Sequence, residues 1–479
     1  MAATEAAGGE VGTPREAPRD AAALLNRTLL VVIIGSMMSV LDMTIVNIAM
    51  RSLSVEFGTP LETIQWTATA YTLALAAVIP TAAWVMARIG AKRAYLTALT
   101  LFTVGSVLAA CAWDAPSLIA FRVVQGLGGG LLMPVGMGMT MAAADREHFG
   151  RTMAWLGLPI LVGPVLGPVL GGWLLDAASW QWIFLINLPV GILGLILTAK
   201  LLRADTPRDP AAVPKLDVLG LLTLSPGLAL LLFGLARGGE QRDFTGLDTL
   251  LPAVAGAVLV AVFVRRSLTI RHPLLDLSLL TDRTFAVGFG TLALFTSGYF
   301  GAMLLGPVYW QQVRAWDATS TGLLGAPVGL TIGVTMQFAA RRADKVNPRR
   351  LILAGVAIGA LGMALTGLLS AVEDVPAWQP LATMMLMGVG SGMVLMPTTT
   401  TASRDLPRER MPAAGTALSI NSQLAASVGT ALISVVLGSA GLDPSGFRTA
   451  FLVAASLLAL ALIPAALLPA ASRTPERQP

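Results

Sequence analysis

The sequence predicts an all-α polytopic membrane protein, with two six-helix bundles and two further helices inserted between them. Long apolar stretches, a one-sided distribution of basic residues and an internal repeat support this fold class. Of the 479 residues, 55% are hydrophobic and 12% are charged, with a mean hydropathy of +0.74. Soluble globular chains carry about 25% charged residues. The apolar excess must therefore face lipid, which excludes soluble, collagen-like and disordered proteins.

The apolar stretches number fourteen when each is required to supply the roughly 20 residues that cross a bilayer core. We call them spans 1 to 14. Their predicted limits are 28–50, 63–86, 94–113, 116–141, 152–175, 181–201, 216–236, 248–264, 284–309, 318–340, 351–371, 378–402, 411–439 and 447–470. Little sequence is left over for a soluble domain.

Basic residues lie mainly on one side of the predicted topology. With the N-terminus taken as cytoplasmic, 26 of the 32 Lys and Arg residues fall in the two tails and the even-numbered turns, and 5 fall on the opposite side. Such asymmetry indicates cytoplasmic basic turns. Both termini are therefore predicted to be cytoplasmic, and the basic composition reflects topology rather than nucleic-acid binding. The single cysteine, Cys111, excludes a disulfide framework and a thiolate metal cluster.

Span 4 and span 12 contain similar glycine-rich runs, 126–134 and 388–397, each ending in Met-Pro. Span n therefore matches span n + 8, as in transporters built from parallel repeats. The predicted domains are a disordered tail (1–27), spans 1–6 (28–203), a linker with inserted spans 7–8 (204–283), spans 9–14 (284–470) and a second tail (471–479).

Two ionisable side chains of opposite sign lie inside spans, Asp42 in span 1 and Arg122 in span 4. A charge at mid-bilayer costs about 2.5–3.5 kcal/mol on insertion scales and marks a functional site by default. At 1.5 Å per residue, each lies about 12–13 Å from the non-cytoplasmic end of its span. This shared depth predicts that they face one another, either as a proton-exchanging pair or as a fixed salt bridge that only orients two helices. Protons would be the driving partner, with no cofactor.

Uncharged polar side chains in or near the spans are either interhelical contacts or the lining of a path for an amphiphilic compound. Those predicted to bind substrate are Asn47, Trp66, Tyr71, Gln125, Gln311, Asn421 and Gln423. Span 5 carries a series spaced by four residues: Gly163, Pro164, Gly167, Pro168, Gly171 and Gly172. This spacing places the glycines on one helix face, which serves either as a plain packing surface or as a hinge between conformations.

Several stretches match known signatures: Leu41–Ala49 in span 1, Trp66 and Tyr71–Ala76 in span 2, Arg122–Gly126 in span 4, the Gly/Pro series of span 5, and Trp180–Gly191 around span 6. With them, residues 28–470 resemble the fourteen-span drug/proton antiporters of the major facilitator superfamily, the EmrB/QacA type. The resemblance implies a major facilitator fold and a role for Arg122 in proton transfer.

One signature is incomplete. The turn between spans 2 and 3 contains Arg88, Gly90, Lys92 and Arg93 but has Ala87 where the superfamily has an acid, whereas the second-half copy keeps Asp344. These five polar or glycine positions are the predicted cytoplasmic gate. The missing acid predicts that gating depends on the basic side chains reaching helix ends.

The predicted function is proton-coupled efflux of hydrophobic or amphiphilic compounds across the plasma membrane by a chain that acts as a monomer in the lipid bilayer, with no nucleic-acid partner. A dedicated exporter of one metabolite, lipid precursor or self-made antibiotic is the alternative. A membrane-embedded enzyme is disfavoured because acid/base or metal chemistry requires several intramembrane His, Asp or Glu side chains. A channel is disfavoured because the repeat and the single buried acid are typical of a gated carrier.

Overall fold

A computed structural model describes residues 18–143, 152, 155–205, 215–241, 245–270, 273–316, 318–343, 347–372 and 375–470. Each predicted span corresponds to a helix or to two helical pieces joined end to end. The helices are Pro18–Glu56, Leu61–Val78, Ala82–Ile89, Ala91–Ala110, Ala115–Ala143, Leu158–Ala177, Trp182–Leu185, Asn187–Leu201, Val218–Gln241, Leu247–Ser267, Arg283–Gln312, Ala318–Ala343, Pro348–Ser370, Trp378–Ser403, Met411–Ala440, Pro444–Leu460 and Leu462–Ala465. The predicted all-helical membrane fold is confirmed.

Twelve helices in the described part of the chain are long and apolar enough to cross a membrane. The helices of spans 5 and 10 are not among them; span 10 contributes a shorter apolar stretch, Leu323–Ala339. The count of fourteen spans therefore stays a prediction.

Span 1 starts earlier than expected. Its helix begins at Pro18, inside the segment that was predicted to be a disordered tail. Proline suits the first position of a helix, and the Ala- and Leu-rich residues that follow have high helix propensity, so the helix extends beyond the apolar core. Residues 1–17 and 471–479 of the predicted tails lie outside the described residues, as do His148 and His272.

The two glycine-rich runs occupy equivalent places in the two halves. In span 4, Gly126 and Gly130 pack against the backbone of span 2, while Gly128 packs against the backbone of span 3. In span 12, Gly388 and Gly392 likewise pack against span 10, and Gly390 packs against span 11. Spans 10 and 11 are the n + 8 counterparts of spans 2 and 3. The contacts thus follow the repeat expected from the sequence.

Inserted span 7 contacts both halves. Phe233 stacks on Trp66 of span 2 with ring centroids 5.5 Å apart. The Ser225 hydroxyl donates to the Ala77 carbonyl of span 2, just before the 3-10 turn Ile79–Thr81. Pro80 in that turn has no backbone N–H, and polar groups of neighbouring helices often compensate such breaks in membrane helices. On the other side, Leu228 and Leu232 share a small apolar gap with Ile420 and Leu424 of span 13.

Among the described residues, the two halves share an apolar core at only one face of the bundle. We call it the basic face, because the turn with Arg88, Lys92 and Arg93 lies there. One cluster joins Leu132 and Met141 of span 4 to Met411 and Leu418 of span 13. At the opposite face, the described apolar residues of spans 1–6 form a cluster of their own, separate from that of spans 9–14. The interface between the halves is therefore closed at the basic face.

Candidate functional site

Spans 1 and 4 bring Asp42 and Arg122 into direct contact. Asp114 begins the helix of span 4 by accepting a hydrogen bond from the Ser117 backbone at 2.8 Å, and hydrogen bonds from the Ser117 side chain and backbone lower the pKa of Asp114. Arg122 follows two turns later. Its Nη1 atom lies 2.5 Å from Asp42 Oδ2, and both residues are fully buried. The facing arrangement expected from their depth is present in the structure.

The second carboxylate oxygen of Asp42 accepts hydrogen bonds from two amides. Gln125 Nε2 lies 2.7 Å from Asp42 Oδ1, and Asn187 Nδ2 of span 6 lies 3.0 Å from the same atom. Both amide nitrogens also contact the Ser106 hydroxyl of span 3, at 3.1 and 3.0 Å. Spans 1, 4 and 6 therefore meet at this carboxylate, and span 3 reaches it through the two amides. We call Ser106, Gln125 and Asn187 the amide frame.

Arg122 is held on its remaining sides by spans 2 and 4. Its Nε donates to the Thr67 carbonyl at 3.2 Å and its Nη1 donates to Gln125 Oε1 at 2.6 Å. The guanidinium carbon lies 4.1 Å from the centre of the Tyr71 ring, a cation–π arrangement. The Tyr71 hydroxyl is in turn 3.0 Å from Ser39 Oγ. The buried guanidinium of Arg122 is thus surrounded by a carboxylate, a backbone carbonyl, a side-chain amide and an aromatic ring.

The sequence did not identify Ser106 or Asn187 as site residues, and it assigned Gln125 and Tyr71 to substrate binding. In the structure both Gln125 and Tyr71 are buried and contact Arg122. A usable signal existed for Gln125, because residues three apart lie on the same helix face as neighbours. Ser106 and Asn187 gave no such signal, since packing between spans decides which way they point.

The glycine face of span 5 packs against the part of span 1 that carries Asp42. A Cβ added at Gly163 would overlap the Val40 side chain, and one at Gly167 would overlap the Thr44 hydroxyl. At Gly171 it would lie 3.4 Å from Ile45. The side chains of Pro164 and Pro168 lie outside the description. Close approach of spans 1 and 5 is therefore one function of this series, whereas its role as a hinge stays a prediction.

The other predicted substrate contacts are dispersed. Trp66 stacks on span 7, and Gln423 lines the gap beside Leu228 and Leu232 of that span. Asn421 Nδ2 donates to the Phe289 carbonyl at 3.0 Å, so this amide joins spans 9 and 13. Gln311 is exposed near the end of its helix, and the side chain of Asn47 lies outside the description. The structure does not bring these residues together at one site.

The turn between spans 2 and 3 lacks an acidic residue of its own but contacts Asp205, which is distant in the sequence. Asp205, just after span 6, accepts hydrogen bonds from the backbone N–H groups of Lys92 and Arg93, both at 3.0 Å. Gly90 has φ +92°, and a Cβ there would overlap the Asp205 carboxylate. Lys92 Nζ donates to the carbonyls of Ala199 and Leu202 at 2.6 and 2.7 Å.

The side chain of Lys92 therefore does reach the end of a helix, that of span 6, which belongs to the same half. These residues border a cavity of about 730 Å³ at the basic face, which Glu409 and Pro412 of the second half also line. Asp344 lies outside the described residues. The gate role of this turn stays a prediction.

Replacing Asp205 with alanine is expected to destabilise the protein by about 1 kcal/mol, the usual effect of losing a side chain that caps a helix N-terminus. Asp205→Asn is the graded comparison, because its single amide oxygen can accept one of the two backbone hydrogen bonds and its NH₂ group cannot accept the other. Thermal unfolding of the purified variants should show a lower Tm for Asp205→Ala than for Asp205→Asn. Equal Tm values for both variants and the wild type would show that the carboxylate does not support span 3.

The chain is similar to a known protein family over most of its length. The family model of the Major Facilitator Superfamily matches residues 32–430. The chain belongs to this superfamily. The fold class and the family expected from the motifs are thereby confirmed.

Curated relatives of this superfamily member carry multidrug names. A "Multidrug resistance protein B homolog" of Mycobacterium tuberculosis is 39% identical over 416 residues, which cover 86% of this chain and 76% of the relative. The "Multidrug export protein EmrB" of Haemophilus influenzae is 32% identical, covering 83% of this chain and 78% of its own. The "Putative multidrug resistance protein MdtD" of Citrobacter koseri is 31% identical, covering 86% of each chain.

Solved structures share the superfamily fold at low sequence identity. The human organic anion transporter MFSD10 superposes with a TM-score of 0.64 at 16% identity, covering 92% of this chain and 99% of its own. The proton:xylose symporter XylE superposes with a TM-score of 0.63 at 14% identity, covering 92% and 95%. These likenesses extend the fold assignment across nearly the whole chain.

Proposed function

We propose that this chain is a proton-coupled efflux transporter that exports hydrophobic or amphiphilic compounds across the plasma membrane by alternating access. The observation that carries the proposal is the fully buried ion pair of Asp42 and Arg122. Asp42 is the proton carrier, and Arg122 controls when the carboxylate is open to protonation. The multidrug names of relatives that are 31–39% identical support the export of drug-like compounds.

The predicted topology supports transport out of the cell. In this proposal the basic face is cytoplasmic, as the distribution of Lys and Arg indicates. We assign the structure to the outward-facing state, because the shared apolar core closes the basic face. Both termini are then cytoplasmic, the chain acts as a monomer, and the proton gradient supplies the driving force without a cofactor.

Proton-driven flux in proteoliposomes tests the proposal. With an acidic lumen, protons leaving through the protein should drive uptake of ethidium, a lipophilic cation. Asp42→Asn should reduce this proton-driven component to the level of protein-free vesicles, because the amide cannot carry the proton. Size-exclusion profiles and bound ethidium should confirm that the variant is folded. Proton-driven uptake by Asp42→Asn at the wild-type rate would contradict the assignment.

Substrate breadth is tested in the same vesicles. Competition by chemically unrelated dyes is expected if the protein exports many compounds. Ethidium transport without competition by neutral or anionic dyes would instead indicate a dedicated exporter.

A further inference from the structure

Ser106 lies at the centre of the amide frame without touching the carboxylate it serves. We propose that Ser106 is a positioning residue for proton exchange at Asp42: its hydroxyl orients the amides of Gln125 and Asn187 so that both donate to the carboxylate. This inference rests on the proposed function, in which Asp42 carries the proton.

The hydroxyl proton of Ser106 is used in a hydrogen bond to the backbone of Phe184. Ser106 Oγ lies 3.0 Å from the Phe184 carbonyl oxygen, which can only accept a hydrogen bond. The single hydroxyl proton therefore points at Phe184. The oxygen of Ser106 is left to accept from the two nitrogens that contact it, Gln125 Nε2 and Asn187 Nδ2.

Because the Ser106 oxygen can only accept from them, the side-chain amides of Gln125 and Asn187 must both point their NH₂ groups toward it. Each NH₂ group has two N–H donors, of which one goes to Ser106 and the other to Asp42 Oδ1. The Gln125 carbonyl oxygen meanwhile accepts from Arg122. Asp42 thus receives two amide donors on Oδ1 and the guanidinium on Oδ2.

A proton on Asp42 has no acceptor in this arrangement, because each of these three neighbours offers a donor. To bind the proton, the site must turn an amide so that its oxygen faces the carboxyl group, or withdraw a donor. Asn187 follows the interruption of span 6 at Ile186, between helices Trp182–Leu185 and Asn187–Leu201. Gln125 lies on span 4 beside Arg122. Protonation therefore requires rotation of the Gln125 or Asn187 amide, or a local change in how span 4 or span 6 meets span 1.

Few other charges face this carboxylate. In the described part of the chain, Arg122 of span 4 and the phenol of Tyr71 of span 2 are the charged or titratable groups against Asp42. Span 3 contributes Ser106, span 6 contributes Asn187, and span 5 contributes glycines 163 and 167 beside Val40 and Thr44. Apart from Arg122, the orientation of the two amides is thus the main variable that controls the proton affinity of Asp42.

Infrared difference titration of the purified protein in lipid nanodiscs tests the inference without a transported compound. The carboxylic-acid band lost in Asp42→Asn reports protonation of Asp42. Loss of the Ser106 hydroxyl frees the amides to rotate and weakens a hydrogen bond to a charged group. Ser106→Ala should therefore raise the midpoint pH of this band by about one unit, which is about a tenfold change in proton affinity.

Thr103→Val is the matched control, because Thr103 lies one turn away on span 3 and its buried hydroxyl has no hydrogen-bond partner in the described part of the chain. This variant should keep the wild-type midpoint. Ser106→Thr retains the hydroxyl and should lie closer to the wild type than to Ser106→Ala. If Ser106→Ala does not fold, Ser106→Cys removes the strong acceptor at nearly constant size and carries the same expectation.

The outcomes separate the inference from the proposed function. A wild-type midpoint in folded Ser106→Ala, or an equal shift in Thr103→Val or Ser106→Thr, would overturn the role of Ser106 while Asp42 remained the proton carrier. If Asp42→Asn removes no band and retains proton-driven ethidium uptake, the proposed function itself fails.

Discussion

Arg122→Ala is expected to destabilise the protein by about 3–5 kcal/mol, the typical consequence of removing one partner from a buried ion pair. Asp42 would keep the two amide donors of Gln125 and Asn187 but lose the only opposite charge within contact among the described residues. The Thr67 carbonyl and the Tyr71 ring would also lose their cationic partner. Denaturant or thermal unfolding in detergent, together with the yield of monodisperse protein, measures the effect.

The double variant Asp42→Asn with Arg122→Gln is the control, because it removes both charges and keeps similar side-chain sizes. It should be more stable than Arg122→Ala, since no unpaired charge remains buried. Proton-driven uptake should nevertheless be absent from both. An Arg122→Ala variant as stable as the wild type would show that the ion pair does not stabilise the folded protein in detergent.

Gly167→Val is expected to abolish proton-driven transport and to lower stability by about 1–3 kcal/mol, the usual effect of overpacking. Even the Cβ of a new side chain at position 167 would overlap the Thr44 hydroxyl. Span 1 would have to move away from span 5, and Asp42, two residues before Thr44, would move with it. Ethidium uptake and thermal unfolding measure the two consequences.

Gly172→Ala provides the comparison within the same motif, because a Cβ there meets nothing within 4 Å. It should behave as the wild type. Replacing Thr44 with glycine in the Gly167→Val background removes the atoms that overlap the new Cβ and should restore part of the lost uptake. If Gly172→Ala is as damaging as Gly167→Val, flexibility of the motif rather than contact with span 1 is what transport requires.

The sequence predicts most of the fold because its main determinant is simple. A bilayer requires long apolar helices, so composition and spacing locate the spans, and the depth of Asp42 and Arg122 follows from counting residues. Boundaries are less certain, since local helix propensity extends span 1 back to Pro18 and the turn at Gly90 starts span 3 at Ala91.

The surroundings of the pair depend on which helix faces meet, and the sequence leaves these open. Ser106 is one of many hydroxyl residues in the spans, and it gains its two amide donors only because spans 4 and 6 each bring one amide to it. Trp66 was expected on a substrate path because nothing in the sequence places span 7 beside span 2. Asp205 lies more than a hundred residues from the backbone groups that it accepts from. These contacts are tertiary, and a single sequence contains no pattern for them.

The shared apolar core at the basic face gives the transport cycle an energetic asymmetry. To open that face, side chains such as Met141, Met411 and Leu418 must leave their neighbours and meet water, at about 25 cal/mol for each Å² newly exposed. An amphiphilic compound that binds between the two halves covers part of this newly exposed apolar surface and lowers the cost of its hydration. In the proposed transport cycle, an empty carrier therefore opens rarely toward the basic face, and the same side chains that favour an apolar substrate limit the leakage of protons.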